Sequence, residues 1–443
     1  MADIVNLVEY PARSEWNSLM TRAVAETKEL RDTVASVLET VKCGGDEALR
    51  QFGERFDGVK IDNLKVSVSE FDEADDIVDI KLKNAIAVAA KNISKFHKAQ
   101  RMTEISIDTV PGVNCRQKAV AIGKVGLYIP GGNSPLFSTV LMLAIPAKLA
   151  GCRKIVLCTP PNKQGKVHPA ILYAARVAGV TDVYKVGGAQ AIAAMAYGTE
   201  SVPQVYKIFG PGNRFVMEAK LQVSRQAVAI DMPAGPSEVM ILADGAASRE
   251  FVASDFLSQA EHGSDSQSIL LTTDKTLAEE LPAVIERLLG TLPRQEMMKK
   301  SLSHSRIILL GDDDEIMDFA NGYAPEHLII NRVDAEKMAS RVENAGSVFI
   351  GAYSPESAGD YASGTNHTLP TSGYAKAYSG VNIDSFIKKI TFQHLTREGL
   401  ESIGHEIETL AENEDLMAHR LAVTVRLNEN NGSNCVNKNS SIK

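Results

Sequence analysis

Long apolar runs and an amino-terminal secretion signal are absent from the 443-residue sequence. A helix needs about 20 consecutive apolar residues to cross a bilayer, and the longest run, residues 140–147, falls well short of that length. The first residues, MADIVNLVEYPARSEW, contain no apolar core behind a basic start, which a signal peptide requires. We therefore expect a cytoplasmic protein with no membrane segment.

Cysteine pairs are also lacking. The five cysteines are an odd number, are irregularly spaced and form no C-x-x-C motif: Cys43, Cys115, Cys152, Cys158 and Cys435. Disulfides, a zinc knuckle and a C-x-x-C redox centre are therefore not expected. Cys152 and Cys158 bracket an apolar segment and are interpreted as small core residues.

Positive charge is in deficit as well, since 47 Lys and Arg residues face 55 Asp and Glu residues for a net charge of -8. Binding to a phosphate backbone requires clustered basic residues, so we expect no nucleic-acid partner. The apolar content of 44% is that of globular proteins. A chain of this length exceeds one hydrophobic core, which predicts two or three domains.

What the sequence does contain is an alternation of strands and helices. Apolar residues recur at helical spacing in residues 15–41 and 71–99, which predicts amphipathic helices over most of the first hundred residues. Alternating elements follow, which is typical of a parallel sheet covered by helices. They are strands 118–122 and 125–129, helix 136–149, strand 154–158, helix 168–178, strand 183–186, helix 189–197 and strand 205–209.

A second alternating region covers residues 228–350, with predicted strands at 238–242, 268–271, 306–310 and 347–350. A short strand from residue 389, a helix over 397–412 and a short helical segment follow. The tail beyond Leu427 is rich in Asn and Ser, which predicts disorder. The predicted fold is α/β, with two Rossmann-like parallel-sheet domains, a helical N-terminal segment and a small C-terminal segment.

Three glycine-rich junctions, YIPGGNSP, KVGGAQA and FGPGNR, each follow a predicted strand and precede a predicted helix. Backbone amides in this position can bind phosphate. None of the junctions matches G-x-G-x-x-G or a P-loop. The pattern is therefore compatible both with NAD binding and with ordinary turns.

Four histidines lie in the second half of the chain beside carboxylates or amides: His262, His327, His367 and His419. Gln259 and His262 are three residues apart at the end of a predicted helix, so both side chains could bind one metal ion. A polar helix terminus is the simpler explanation of these two residues when they are considered alone.

The segment APEHLII places Glu326 and His327 side by side before a strand-like run. An imidazole can take the proton of an alcohol, and a carboxylate can activate water. The alternative interpretation is an exposed pair in a loop.

Residues 354–373, SPESAGDYASGTNHTLPTSG, have no periodicity and are expected to form a long loop, a feature that in compact enzymes is usually functional. Asp360 could bind a metal, and His367 could contact a ligand carboxylate or water. A turn-forming Asp and a surface His are the alternatives.

Taken together, these motifs resemble those of the histidinol dehydrogenase family. The resemblance covers about residues 20–427 and rests on seven blocks: VGLYIPGG, VGGAQAIAAMAYGT, FGPGN, DMPAGPSEV, DFLSQAEHG, APEHLII and AGSVFIGAYSPESAGDYASGTNHTLPT. It implies two successive NAD-dependent oxidations of L-histidinol through bound L-histidinaldehyde to L-histidine, the final steps of histidine biosynthesis. It also implies one zinc ion per subunit.

The resemblance further assigns roles to individual residues. Glu326 and His327 match the acid/base pair. The zinc ligands would be Gln259, His262, Asp360 and His419. The substrate contacts would be Ser237, Gln259, His262, His327, Asp360, His367, Glu414 and His419, and the NAD contacts Tyr128, Gln190 and Asn213.

The family fold is an intertwined homodimer in which the C-terminal segment reaches the partner's active site, so Glu414 and His419 would serve the partner subunit. We expect the chain to consist of five parts: an N-terminal arm at 1–23, a discontinuous α/β domain at 24–127 and 238–380, an inserted α/β domain at 128–237, a C-terminal segment at 381–427 and a disordered tail at 428–443.

Three other functions remain open at the level of the sequence. A related zinc- and NAD-dependent dehydrogenase acting on another small polyol would share the zinc site. A metal-dependent hydrolase could use Glu326 and His327 on bound water without NAD. A catalytically inactive ligand-binding protein is disfavoured, because every expected catalytic position is occupied.

Overall fold

The structure is a computed structural model that describes residues 4–22, 28–131 and 134–429. The chain divides into two compact units. The first comprises the residues up to Arg101 together with Ile122–Phe386, and the second comprises Met102–Ala121 and the residues from Ile387 onward.

The described strands, in chain order, are β1 Asn6–Glu9, β2 Ile105–Val110, β3 Val113–Ala121, β4 Lys124–Tyr128, β5 Lys154–Thr159, β6 Asp182–Lys185, β7 Lys207–Phe209, β8 Ala229–Ile230, β9 Glu238–Ala243, β10 Gln267–Thr272, β11 Arg306–Leu309, β12 His327–Asn331, β13 Ser347–Ile350 and β14 Ile387–Leu395.

The described α-helices are α1 Trp16–Leu19, α2 Lys28–Phe52, α3 Val68–Ile77, α4 Ile80–Ala99, α5 Phe137–Ala150, α6 Pro169–Val177, α7 Gly188–Tyr197, α8 Arg214–Ser224, α9 Arg249–Ala260, α10 Lys275–Leu289, α11 Gln295–Leu302, α12 Asp313–Tyr323, α13 Ala335–Ala339, α14 Glu356–Tyr361, α15 Arg397–Asn413 and α16 Met417–Asn428. None of them is both long and apolar enough to cross a membrane.

Two parallel sheets form the frame of the first unit. The six-stranded sheet has the order β1-β11-β10-β9-β12-β13, and the five-stranded sheet has the order β6-β5-β4-β7-β8. Every pairing within them is parallel. These doubly covered parallel sheets confirm the predicted Rossmann-like α/β class.

Strands that are mostly apolar and buried along their whole length explain why the sheets are covered on two faces. The strand sequences EVMILA of β9 and QSILLT of β10 are buried at every position, as expected for parallel strands between helical layers. Helix α5, FSTVLMLAIPAKLA, is likewise buried from Ser138 through Ala147 despite an internal proline. A helix that is apolar all round belongs in the interior of a large core.

The second unit is antiparallel. Its sheet has the order β14-β3-β2, with β14 pairing along the whole of β3. Helices α15 and α16 pack on each other. The sequence predicts a small C-terminal segment. In the structure, this segment forms a small unit of strands and helices that also includes the hairpin β2-β3.

Several predicted elements differ from the structure. The predicted helix over 15–41 is wrong in extent, because α1 ends at Leu19, residues 20–22 are not helical, and α2, described from Lys28, continues to Phe52. Strands β1 and β2 were not predicted. Each lies at the edge of its sheet, and none of the ten residues of β1 and β2 is buried, so the apolar signal is weak. Residues 356–361 of the predicted loop are helical.

The domain boundaries remain a prediction. Within the first unit, the N-terminal helices pack on the five-stranded sheet. Helix α2 packs against α7 and α8 of the five-stranded sheet, and β4 is the central strand of that sheet. Of the predicted disordered tail, only residues 428 and 429 are described, and α16 ends at Asn428.

A buried carboxylate joins α2 to the loop that follows α7. Asp46 accepts hydrogen bonds from the Thr199 hydroxyl at 2.6 Å and from the Ser201 hydroxyl at 2.5 Å and amide at 3.1 Å. Gly45 has φ +53°, and a side chain there would collide with the Glu200 carboxylate. The positive φ breaks α2 at this point and directs Asp46 toward the loop.

Replacement of this carboxylate should weaken the fold in a pH-dependent way. Burial alone would raise the pKa of Asp46, but the Ser201 and Thr199 hydrogen bonds lower it below its ordinary value. The stabilisation is therefore complete above the unfolded pKa and is lost as pH falls through the folded pKa. We expect Asp46→Asn to lower the free energy of unfolding by about 2 kcal/mol at pH 7.

Urea unfolding of the wild type and Asp46→Asn across pH 7 to 3 measures this effect. The difference between the two proteins should shrink in the acid range. The exposed Asp76, replaced by Asn, serves as the control and should change stability little. A difference that is independent of pH would contradict the role of the Asp46 charge.

Candidate active site

The predicted acid/base residues lie at the amino-terminal edge of the six-stranded sheet. His327 is the first residue of β12, and Glu238 is the first residue of β9, which pairs with β12 in parallel. Helix α9 follows β9 and runs back toward this edge, where it ends at Ala260. Gln259 and His262 therefore reach the same edge as His327.

His327 is buried and held through one ring nitrogen. Its Nδ1 lies 3.3 Å from the carbonyl oxygen of Glu238. Because a carbonyl can only accept, Nδ1 carries a proton and donates it. Nε2 lies 3.5 Å from Asp360 Oδ1 and has no hydrogen-bond partner within the described chain. In the neutral ring, Nε2 has a free lone pair that can accept a proton.

Glu326 is anchored to the same residue. Its Oε2 accepts a hydrogen bond of 2.9 Å from the backbone N–H of Glu238, and the same oxygen lies 3.6 Å from His327 Nδ1. The backbone of Glu238 thus holds both members of the predicted pair. The exposed-loop interpretation of these residues is wrong, because both are at least nine-tenths buried.

The Glu238 side chain is itself fixed, which makes this anchor rigid. Arg22 donates two hydrogen bonds to the Glu238 carboxylate, at 2.8 and 3.0 Å, and lies 3.8 Å from the centre of the Tyr323 ring. The backbone N–H of Ser372 donates to the same carboxylate at 2.9 Å. A two-point Arg–carboxylate pair restricts orientation as well as distance.

Glu356 is a site residue that the sequence reasoning missed. Its Oε1 lies 3.6 Å from His327 Nδ1, its side chain is almost fully buried, and its Oε2 has no hydrogen-bond partner among the described residues. Glu356 and Asp360 are four residues apart, so they share one face of α14. That spacing was visible in the sequence, but the expected loop conformation concealed its meaning.

A cluster of ligand-type atoms lies beside His327. One donor atom from each of His262, Glu356 and Asp360 lies within 4.8 Å of the other two. The Oε1 and Nε2 atoms of Gln259 and the Oδ1 of Asp360 are buried with no hydrogen-bond partner in the described parts of the chain. Since buried polar groups are normally satisfied, these orphaned oxygens and the nearby imidazole fit a bound cation.

The charges at the cluster agree with that interpretation. Burial raises the pKa of Glu326 to about 8 and raises the pKa of Glu356 as well. Burial alone would lower the pKa of His327, but the Glu356, Glu326 and Asp360 carboxylates raise it above its ordinary value. Burial therefore disfavours the ionised forms of two carboxyl groups beside His327, and a cation bound there would offset that cost.

Two further predicted substrate contacts lie close to residues of the site: His367 contacts Asp360, and Ser237 precedes Glu238 in the chain. His367 Nδ1 lies 2.9 Å from the carbonyl oxygen of Asp360 and therefore donates to it. Its Nε2 lies 3.1 Å from the Thr139 hydroxyl in the first turn of α5. Ser237 directly precedes Glu238, and its side chain is half-buried.

The three predicted NAD contacts lie at the carboxyl-terminal edge of the five-stranded sheet. Tyr128 ends β4, and its hydroxyl accepts a hydrogen bond of 3.1 Å from the Gly188 N–H. Gln190 is buried in the first turn of α7. Asn213 is the N-cap of α8 and accepts from the N–H groups of Phe215 and Val216 at 3.0 and 3.2 Å.

Glu414 and His419 belong to the second unit. Glu414 is the C-cap of α15, and His419 lies in the first turn of α16. Both are exposed in the single chain. The first unit therefore supplies three of the four predicted zinc ligands, Gln259, His262 and Asp360, and the second unit carries the fourth.

Comparison with known proteins supports the geometry. The sequence model of the histidinol dehydrogenase family matches residues 20–427. The chain is 59% identical to histidinol dehydrogenase of Bacteroides fragilis strain YCH46, over 96% of this chain and 99% of the relative. It is 51% identical to the Escherichia coli K12 enzyme of that name, over 94% and 97%.

A solved structure gives the same result. The fold superposes on the crystal structure of histidinol dehydrogenase from Elizabethkingia anophelis with a TM-score of 0.94 and 49% identity, covering 97% of this chain and all of the other. Family match, sequence identity and fold agree over nearly the whole chain. The chain therefore belongs to the histidinol dehydrogenase family.

Proposed function

We propose that the protein oxidises L-histidinol to L-histidine through bound L-histidinaldehyde in two successive NAD-dependent steps, the last steps of histidine biosynthesis. The observation that carries the proposal is the arrangement of His327: the Glu238 carbonyl holds its Nδ1, while its Nε2 lies 3.5 Å from the unpartnered Oδ1 of Asp360. An alcohol bound at this cluster would have a base within reach.

Zinc is the cofactor that we propose for the cluster. Gln259, His262 and Asp360 would hold it, together with His419 of the partner subunit. Oxygen and imidazole ligands suit zinc, and when bound the ion supplies positive charge and coordination positions for nitrogen donors of a substrate. Substrate contacts would come from Ser237, His327, His367 and Glu414 as well as from the ligand residues.

Proton transfer falls to the two residues anchored by Glu238. His327 would accept the hydroxyl proton at Nε2, since Nδ1 is committed to the Glu238 carbonyl. Glu326 has one oxygen bound to the Glu238 N–H, which leaves the other to take a proton from water that adds to the aldehyde. His327 would then act again in the second oxidation.

NAD is the second small molecule, and it accepts the hydride when bound. Tyr128, Gln190 and Asn213 would contact it at the carboxyl-terminal edge of the five-stranded sheet, which is the usual binding edge of such sheets. His367 contacts Thr139 in the helix that follows β4. The cluster and the proposed cofactor edge are thus connected within the first unit.

We also propose that the protein acts as a cytoplasmic, intertwined homodimer. In support, the second unit exposes many apolar side chains, and such surfaces usually mark protein interfaces. These side chains are Ile105, Ile107, Ile390, Phe392, Leu410, Leu416, Met417, Leu421 and Val425.

The reaction can be tested by its stoichiometry. Zinc-loaded protein given a limiting, known amount of L-histidinol and excess NAD should form two NADH per alcohol consumed, with histidine as product, because both oxidations occur before release. Absorbance of NADH and product chromatography measure this. One NADH per alcohol would indicate a simple alcohol dehydrogenase, and no NADH would contradict the proposal.

Two variants separate the roles of the acid/base pair in the same assay. Glu326→Gln should slow the aldehyde step by about 100-fold and leave the alcohol step nearly intact. His327→Ala should slow both steps while the zinc content stays at the wild-type value. An aldehyde step that proceeds normally in Glu326→Gln would remove Glu326 from water activation.

Sharing of the active site between subunits can be tested with a mixed dimer, one chain carrying His262→Ala and the other His419→Ala. Both parent dimers should lack zinc and activity. In the mixed dimer one site regains every ligand, so about half of the wild-type activity should return. If the mixed dimer, isolated with two different tags, is as inactive as its parents, the site is not shared.

A further inference from the structure

A buried ion pair that takes no part in the acid/base chemistry lies beside the five-stranded sheet. Lys220 of α8 and Asp231, which follows β8, have side chains only 2% exposed, and Lys220 Nζ lies 2.5 Å from Asp231 Oδ1. Replacing a buried ion pair by apolar residues is often neutral or stabilising, because desolvation offsets the attraction. General stability is therefore a weak explanation for this pair.

The ion pair forms hydrogen bonds with both backbone groups of one residue, Gly210. Lys220 Nζ donates to the carbonyl oxygen of Gly210 at 2.9 Å, and the N–H of Gly210 donates to Asp231 Oδ2 at 2.9 Å. The other oxygen of Asp231 accepts from the Met232 N–H at 2.8 Å. The position and orientation of Gly210 are therefore set by a charged side chain on each side.

Gly210 opens the turn 210–213, which connects β7 to α8. It has φ +128°, and any side chain there would collide with the carbonyl oxygen of Tyr128. The turn therefore lies directly against Tyr128, and it ends at Asn213, the N-cap of α8. Two of the three proposed NAD contacts thus depend on where Gly210 is held.

The same carboxylate also fixes the start of a second segment. Asp231 begins DMPAGPS, residues 231–237, which leads to Ser237 and to Glu238 at the acid/base pair. The Met232 N–H is bound to Asp231, and the Asp231 N–H donates to the Ile208 carbonyl at 3.0 Å. One ion pair thus fixes the turn at the proposed cofactor edge and the first residues of the segment that carries a proposed substrate contact.

We propose that Lys220 and Asp231 are positioning residues for NAD, which they serve by holding the turn 210–213 against Tyr128. This inference rests on the proposed NAD site. Loss of the Lys220 ammonium should raise the dissociation constant and the KM for NAD by about tenfold, because small misplacements of binding groups cost at least this much. Zinc content, and kcat at saturating NAD, should stay within about twofold of wild type.

The test compares Lys220→Met with Val223→Ala, both in the zinc-loaded dimer. Val223 is a buried residue of the same helix, one turn away, and its truncation destabilises α8 without removing a bond to Gly210. Thermal unfolding measures the damage to the fold, and titration with NAD and NADH measures affinity. Weaker NAD binding in Lys220→Met alone supports the proposal. Equal weakening in both variants, or wild-type affinity in Lys220→Met, overturns it.

A second variant covers the case in which Lys220→Met leaves an unpaired buried carboxylate and folds poorly. The double variant Lys220→Met with Asp231→Asn removes both charges together, and it should show the same loss of NAD affinity. If this double variant folds and binds NAD as the wild type does, the positioning role is refuted.

Asn213→Ala and Gln190→Ala distinguish failure of the inference from failure of the NAD site. If these variants weaken NAD binding and Lys220→Met does not, the ion pair is only structural and the NAD site stands. If Asn213→Ala and Gln190→Ala both leave NAD affinity unchanged, the NAD site is elsewhere, and the inference falls with it.

Discussion

The site depends on one constraint, the burial of several polar groups that the chain itself does not satisfy. Gln259, Asp360 and Glu356 each have a buried side-chain atom without a partner in the described residues. Removing a charged group from water costs on the order of several kcal/mol per ion, and an unpaired polar group also carries a penalty. A bound cation would supply the missing partners, which explains why such a costly arrangement is retained.

The frame that holds these groups consists of two parallel sheets used at opposite edges. The five-stranded sheet presents Tyr128 and Asn213 at its carboxyl-terminal edge, where nucleotides usually bind. The six-stranded sheet presents His327 and Glu238 at its amino-terminal edge. Because α9 runs antiparallel to β9, its end carries Gln259 and His262 to that second edge. The Arg22–Glu238 pair then fixes the strand end that anchors both acid/base residues.

Much of the fold could be predicted from the sequence pattern, because the buried parallel strands and helices contain short, mostly apolar runs, as β9, β10 and α5 illustrate. Edge strands β1 and β2 could not, since partly exposed strands have a weak apolar signal. For the site, residue chemistry left Gln259, His262, Glu326 and His327 each with an ordinary alternative, and only the resemblance to a family joined them. Glu356 was missed because a loop was expected where about one turn of helix aligns it with Asp360.

The central claim is that the orphaned atoms form a zinc site built from oxygen and imidazole ligands. Zinc K-edge X-ray absorption of the zinc-loaded protein tests it most directly. The account predicts a first shell of nitrogen and oxygen at about 2.0–2.2 Å, with the outer-shell scattering of the His262 and His419 imidazoles. A sulfur shell at about 2.3 Å, which would require a cysteine ligand, or a spectrum without imidazole would contradict it.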